Sequence, residues 1–189
     1  MDKIEKELLV KIFCSNLEDK NIELEGLEEK IYKGLEEKGY VKKGKLTDMG
    51  RKAIKVVLAG GVFDIIHPGH IFTLSEAKKL GDVLVVSVAR NSTVKIMKGR
   101  EPLHDEKERV KMVSYLKMGD LALLGSEEDI FKTVIKVKPD IIVLGYDQKH
   151  NEKELEERGK KEGLNFQIVR LSSPIPNIKT SKILEMERF

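Results

Sequence analysis

The chain has 189 residues, is 40% hydrophobic and 35% charged, and carries a formal net charge of only +3. That length holds one α/β domain with a good core plus a small appendage, and the composition is that of a soluble globular protein without bulk attraction to nucleic acid. No apolar run approaches the roughly twenty residues of a membrane-crossing helix, the charged start Met1-Asp2-Lys3-Ile4-Glu5-Lys6 is not a signal peptide, and the single Cys14 excludes an intrachain disulfide and suits a reducing cytoplasm.

Residues 1–38 read as two amphipathic helices, Lys3–Cys14 and Leu24–Glu37, with Gly39 closing the second. A short hairpin around Gly44 follows, and Thr47 then caps a short helix, Asp48–Ala53. These elements make a first module over residues 1–53, helical and winged-helix-like. From residue 54 onward strand and helix patterns alternate. Strands are expected at Lys55–Ala59, Val83–Ala89, Leu121–Leu124, Ile141–Leu144 and Gln167–Leu171. Helices are expected at Gly69–Leu80, Asp105–Lys117, Glu127–Val137, Glu152–Glu162 and Ser181–Arg188, with Lys95 and Lys98 in a loop after the second strand. The strands are continuous apolar runs, as strands covered on both faces are. The alternation predicts an α/β fold, a doubly wound, Rossmann-like parallel sheet of five strands over residues 54–189.

The chemistry concentrates in Gly60-Gly61-Val62-Phe63-Asp64-Ile65-Ile66-His67-Pro68-Gly69-His70. This stretch joins the first apolar strand to the helix after it, at the carboxyl end of the sheet where ligands of α/β proteins bind. Gly60, Gly61 and Gly69 let main chain approach a phosphate, and the helix start offers N–H donors and a positive dipole end. His67 and His70 are three residues apart and can share one side of the first helical turn. Asp64 reads equally as a turn residue. Two histidines without a third ligand nearby make no zinc site.

Phe63-Asp64 and His67-Pro68-Gly69-His70 after a strand of this kind resemble the signature of the nucleotidyltransferase superfamily that includes cytidylyltransferases and phosphopantetheine adenylyltransferases. The resemblance continues through Lys98-Gly99-Arg100-Glu101-Pro102, Arg109 and Pro139-Asp140-Ile141-Ile142-Val143-Leu144-Gly145-Tyr146-Asp147-Gln148. Among subfamilies it is nearest to the archaeal FAD synthetases. The resemblance covers residues 54–189. It implies an acceptor phosphate attacking the α-phosphorus of a nucleoside triphosphate, with pyrophosphate leaving. It implies catalytic roles for His67, His70, Lys98 and Arg109. It implies a nucleotide pocket built from Gly60, Gly61, Val62, Phe63, Asp64, Gly69, Gly145, Tyr146, Asp147, Thr180 and Ser181. The expected acceptor is FMN and the expected donor ATP rather than CTP, with Mg²⁺ or another divalent cation and no protein-held metal.

Two other readings stand beside FAD synthesis. One is a cytidylyltransferase acting on glycerol phosphate or a similar polyol phosphate, although the segment Ile178-Lys179-Thr180-Ser181-Lys182-Ile183 is shorter than its cytidylyltransferase counterpart. The other is a nucleotide- or flavin-sensing transcription regulator, suggested by Leu46-Thr47-Asp48-Met49-Gly50-Arg51 after a hairpin. Residues 1–54 carry twelve Lys/Arg against twelve Asp/Glu, and a DNA reader needs a positive excess. A dimerisation or lid role for this module, and hence a homodimer, is the expected alternative. Abundant Lys and Glu, with only two glutamines, suit a thermophile.

Overall fold

The computed structural model describes residues 1–127, 129–146, 148, 150–172 and 183. The chain divides into two compact units, Met1–Lys55 and Val56–Phe189, a boundary two residues beyond the one expected from the sequence.

The first unit contains α1 (Lys3–Leu17), α2 (Leu27–Glu37), the hairpin of β1 (Val41–Lys42) and β2 (Lys45–Leu46), and α3 (Asp48–Lys52). Asp2 and Glu5 form a reciprocal capping box that starts α1. The helix runs one turn past the expected end because Leu17 also joins the core of Leu8, Leu9, Ile12, Phe13, Leu35 and Val41. α2 begins later than expected, at Leu27 after the left-handed Gly26. Thr47 accepts from the Gly50 N–H and caps α3. Gly50 must lack a side chain, since a Cβ there would lie 2.0 Å from the Tyr40 carbonyl oxygen.

The second unit follows the order β3 (Val56–Gly61), α4 (Pro68–Lys78), β4 (Val83–Val88), α5 (Asn91–Lys98), α6 (Glu106–Ser114), β5 (Leu121–Leu124), α7 (Ile130–Val137), β6 (Ile141–Leu144), α8 (Glu152–Lys161) and β7 (Gln167–Arg170). All neighbouring strands are parallel, in the order β5-β4-β3-β6-β7. The expected five-stranded, Rossmann-like sheet is the one observed. Every residue of β4 is buried, as is every residue of β6, which is why these strands read as apolar runs, broken in β4 only by Ser87. Val57, Leu84, Val86, Ile141 and Val143 join Leu74, Ala77 and Val113 from the helices in one core.

Two carboxylates fasten the amino ends of the strands. Asp140 accepts from Val56 N–H at 2.6 Å, and Asp120 accepts from Leu84 N–H at 2.6 Å and from Lys78. At the other end the chain leaves β3 toward β4 and later returns to its opposite side as β6. The gap between the carboxyl ends of β3 and β6 is therefore the topological switch point, where open α/β sheets hold their ligands.

Two expectations change. β3 extends through Gly60 and Gly61, which pair with Ser87 and Val88, so these glycines belong to the strand rather than to the turn after it. Lys95 and Lys98 lie on a helix, α5, closed by the left-handed Gly99, and not in a loop. The expected last helix, Ser181–Arg188, lies outside the described residues apart from Ile183.

Candidate active site

Beyond Gly61 the chain turns sharply. Phe63 takes a left-handed conformation, with φ of 55°, at a cost of about 1–3 kcal/mol for a residue with a side chain. Its ring folds back over Gly61, where a Cβ would meet the ring at 2.8 Å; that close approach is what the second glycine serves. The same ring meets His70 at 5.0 Å between centroids, and His70 stacks on His67 at 3.9 Å and 27°. His67 is the N-cap of α4 and Pro68 its first residue. Proline has no N–H, so Gly69 is the first main-chain donor of the helix. Two imidazoles and a helix amino terminus thus converge at the switch point, as the sequence spacing predicts.

Beneath the histidines lies a network that the sequence does not reveal. Asp64 is 1% exposed. Its carboxylate accepts from the main-chain N–H of Leu103 at 2.8 Å and of His104 at 3.1 Å, and from Arg100 Nη1 at 3.1 Å. Burial pushes this carboxyl up, but the N–H donors of Leu103 and His104 and the Arg100 guanidinium outweigh burial and hold it below the usual carboxylate range. The imidazole Nδ1 of His104 lies 2.8 Å from the Asp64 carbonyl oxygen. Asp64 therefore latches the segment after α5 to the end of β3, the turn-forming role that its position also allowed.

Arg109, expected at the chemistry, is completely buried. It donates to the Val62 carbonyl at 2.6 Å, the His104 carbonyl at 3.0 Å and Asn91 Oδ1 at 2.7 Å. Burial depresses its pKa, while Asp64, Glu106 and Asp105 oppose that shift. The guanidinium ties together the turn after β3, the start of α5 and the approach to α6. Lys98 is exposed at the end of α5, and no ion pair among the described residues engages it. Lys95 is paired with Glu101 at 2.7 Å.

On the β6 side, Gly145 and Tyr146 leave the strand end, Tyr146 being 36% exposed. Gln148 bridges the switch point: its Nε2 donates to the Gly60 carbonyl at 2.6 Å and its Oε1 accepts from Gly145 N–H at 3.2 Å. Burial, and then the charge of Arg170, push the His150 imidazolium below its ordinary value, with Glu154 opposing. Asp147, Thr180 and Ser181 lie outside the described residues. The sequence assigns no role to Asn91, His104, Gln148 or Arg170. Their only signal there is being polar at or just beyond the end of an apolar run, or beside Asp105 at the start of a helix.

The cytidylyltransferase-like family pattern matches residues 58–186, from inside β3 past the end of β7. The chain belongs to the cytidylyltransferase-like family. It is a nucleotidyltransferase. A protein of Thermoplasma acidophilum named FAD synthase is 52% identical over 140 residues, 70% of this chain and 98% of that protein. An Aciduliprofundum boonei protein of the same name is 56% identical over 115 residues, 61% of this chain and 76% of that protein. A crystal structure from Thermoplasma volcanium GSS1, described as a lipopolysaccharide core biosynthesis protein, is 54% identical with a TM-score of 0.62, covering 64% of this chain and 98% of that one. A family domain built on this sheet explains why the histidines, Gln148 and the glycine step of β3 meet at one crevice. The family pattern does not extend into the first unit.

Proposed function

We propose that this nucleotidyltransferase makes FAD, transferring AMP from ATP to the phosphate of FMN. The observation that carries the transfer chemistry is the stacked His67–His70 pair at the amino terminus of α4, inside the switch-point crevice. The identity of the substrates is supported by relatives named FAD synthase at 50% identity or more. An oxygen of the FMN phosphate attacks the α-phosphorus of ATP. A new P–O bond forms, the bond to the β-phosphate bridging oxygen breaks, and pyrophosphate leaves. The attacking oxygen is already anionic, so no serine or cysteine nucleophile is required. Rate enhancement then comes from alignment and from donors aimed at the phosphorus oxygens. His67 and His70 provide such donors, and Lys98 is a cation that can reach a phosphate from the end of α5.

A divalent cation belongs to this reaction as part of the ATP substrate. Among the described residues no group of three metal-ligating side chains forms a protein cage, and Asp64, the carboxylate nearest the histidines in sequence, is committed to Leu103, His104 and Arg100. The test is pyrophosphate release by the purified protein, with ATP and CTP each offered FMN, glycerol phosphate and phosphopantetheine. ATP with FMN, and FAD as product, is the expected pair. Turnover of CTP with a polyol phosphate, and none of ATP with FMN, would refute it. Salt-sensitive binding to one duplex DNA sequence, without turnover, would instead favour the regulator.

A further inference from the structure

Arg170 is the last residue of β7, and the parallel register sets it beside Leu144, the last residue of β6. An arginine at the end of an edge strand is ordinarily a solvated side chain with no fixed geometry. This one commits four N–H groups to its neighbours. Nη1 donates to the carbonyl oxygens of Gly145 at 3.0 Å and Gln148 at 2.8 Å, Nη2 to the carbonyl of His150 at 3.1 Å, and Nε to Glu152 Oε1 at 2.7 Å. Three of these four acceptors are main-chain oxygens of a single short loop, the one that leaves β6 at the switch point. Glu152, the fourth, opens α8, where Asn151 caps the helix by accepting from Lys153 N–H. The guanidinium thus ties Gly145, Gln148 and His150 to the start of α8.

The opposite side of the same loop is pinned by Gln148, which reaches the Gly60 carbonyl of β3 at 2.6 Å. The segment is held from the strand on each side of β6: from β7 by Arg170 and from β3 by Gln148. Immobilising an arginine costs up to about 2 kcal/mol of side-chain entropy, which three main-chain hydrogen bonds of about 0.5–1.5 kcal/mol each offset. β6 and β7 are already joined by their ladder, which continues to Leu171 N–H donating to the Leu144 carbonyl at 2.9 Å. The sheet edge is complete without the arginine; the loop is not.

We propose that Arg170 is a positioning residue for the nucleotide: it fixes the main chain at Gly145, Gln148 and His150, beside the switch-point crevice that receives ATP. This rests on the function proposed above, in which ATP binds in the switch-point crevice with the histidines at its phosphates. Arg170 touches no reacting atom, and its effect falls on nucleotide binding. Ordering the loop before binding removes an entropic cost from the binding step, so its loss weakens ATP binding while the chemistry of bound substrates stays intact.

The experiment is steady-state kinetics of full-length Arg170→Met and Arg170→Lys with ATP and FMN varied separately, alongside melting curves and hydrogen exchange of the 145–150 segment with and without ATP. For Arg170→Met the expected result is a KM for ATP raised about ten- to a hundredfold, with kcat and the KM for FMN within about threefold. Arg170→Lys falls between, since one ammonium cannot reach all three carbonyls with the geometry of a planar fork. Exchange of the loop amides speeds up in the free variant and slows again with ATP, while β6 and β7 keep wild-type protection. Three results would overturn the proposal: an unchanged KM for ATP, a loss confined to kcat, or lost protection throughout β6 and β7 with a lowered melting temperature, which would make Arg170 a strut of the sheet. A wild-type protein that makes no FAD, and whose loop ATP does not protect, would remove the functional reading itself; the exchange of the free loop would still report whether Arg170 orders it.

Discussion

Replacing Asp64 by alanine removes an acceptor from three donors at once, and the cost can be worked from the geometry. The N–H groups of Leu103 and His104 point at the carboxylate from 2.8 and 3.1 Å in a part-buried setting. A hydrogen bond to a charged group contributes about 1.5–3 kcal/mol, so these two contribute about 3–6 kcal/mol. Arg100 is 36% exposed at its side chain, and a pair that wet adds about 0–1 kcal/mol. Leu103 itself is 64% exposed, so water reaches part of the broken latch and the loss falls toward the lower end, about 3–4 kcal/mol. For a unit of this size each kcal/mol moves the melting temperature by roughly 3–4 °C, giving a fall of about 10–15 °C at pH 7. Asp64→Asn keeps one accepting oxygen but turns its amide N–H toward Arg100, and should fall by about half as much. The carboxyl is held below its ordinary value in the fold, so its contribution is complete above the unfolded-state pKa of about 3.9 and fades as pH falls through the depressed folded value. The gap between wild type and Asp64→Ala should therefore narrow in melts near pH 2.5. A melting temperature within about 2 °C of wild type at pH 7, or a gap equally wide in acid, would refute the latch.

His67→Ala and His70→Ala should each lower turnover by about a hundred- to a thousandfold with a smaller change in the KM for ATP, measured by pyrophosphate release; wild-type rates in both would remove the transfer mechanism. Arg109→Met should be more damaging to the fold than to substrate affinity, since it strands the Val62 and His104 carbonyls and Asn91; a well-folded variant with only a raised substrate KM, seen by melting and kinetics together, would return Arg109 to the chemistry. Because His150 is held below its ordinary value, its neutral form stabilises the fold fully above the unfolded-state pKa of about 6.5 and that stabilisation is lost as pH falls below it; removing the imidazole with His150→Gln should flatten denaturant midpoints between pH 7 and 5. A polypeptide beginning at Lys52 should keep its sheet and measurable transfer, because every site residue follows Ala59; a folded but inactive truncation would place part of the active site in the first unit.

β4 and β6 were legible because they are buried along their whole length, which favours near-continuous runs of Val, Ile and Leu, and the half-buried edge strands β5 and β7 were legible from shorter apolar runs. The histidines were legible because a strand, small residues and a helix start in close sequence specify their own geometry. α5 was not. Asn91-Ser92-Thr93-Val94 is a poor helical start, and what holds it is remote: Asn91 N–H donates to Glu106 at 2.8 Å, and Arg90 Nη1 to the same carboxylate at 2.7 Å. Arg109 was visible as a residue but not in its role, and of Asp64's role only the turn was visible, since their partners lie 47 and 39 positions away. A buried carboxylate and a buried guanidinium look identical, in a sequence, to ones aimed at a ligand.

That ambiguity has a physical resolution in this crevice. The imidazoles proposed to meet the phosphates stand on one short segment, Phe63 to His70, which carries a left-handed residue and a ring folded over a glycine. Such a segment is strained and would relax if its flanks were free. Lys98 stays exposed, but other polar and charged side chains near the crevice are turned onto protein groups on either flank. Asp64 and Arg109 bind the α5–α6 side, and Gln148 and Arg170 bind the loop after β6. Each engages main-chain groups at or just beyond the carboxyl ends of the strands. These contacts flank the segment that carries the two imidazoles, 3.9 Å apart, and under the proposed transfer chemistry substitutions among them should change the reaction without touching the phosphates.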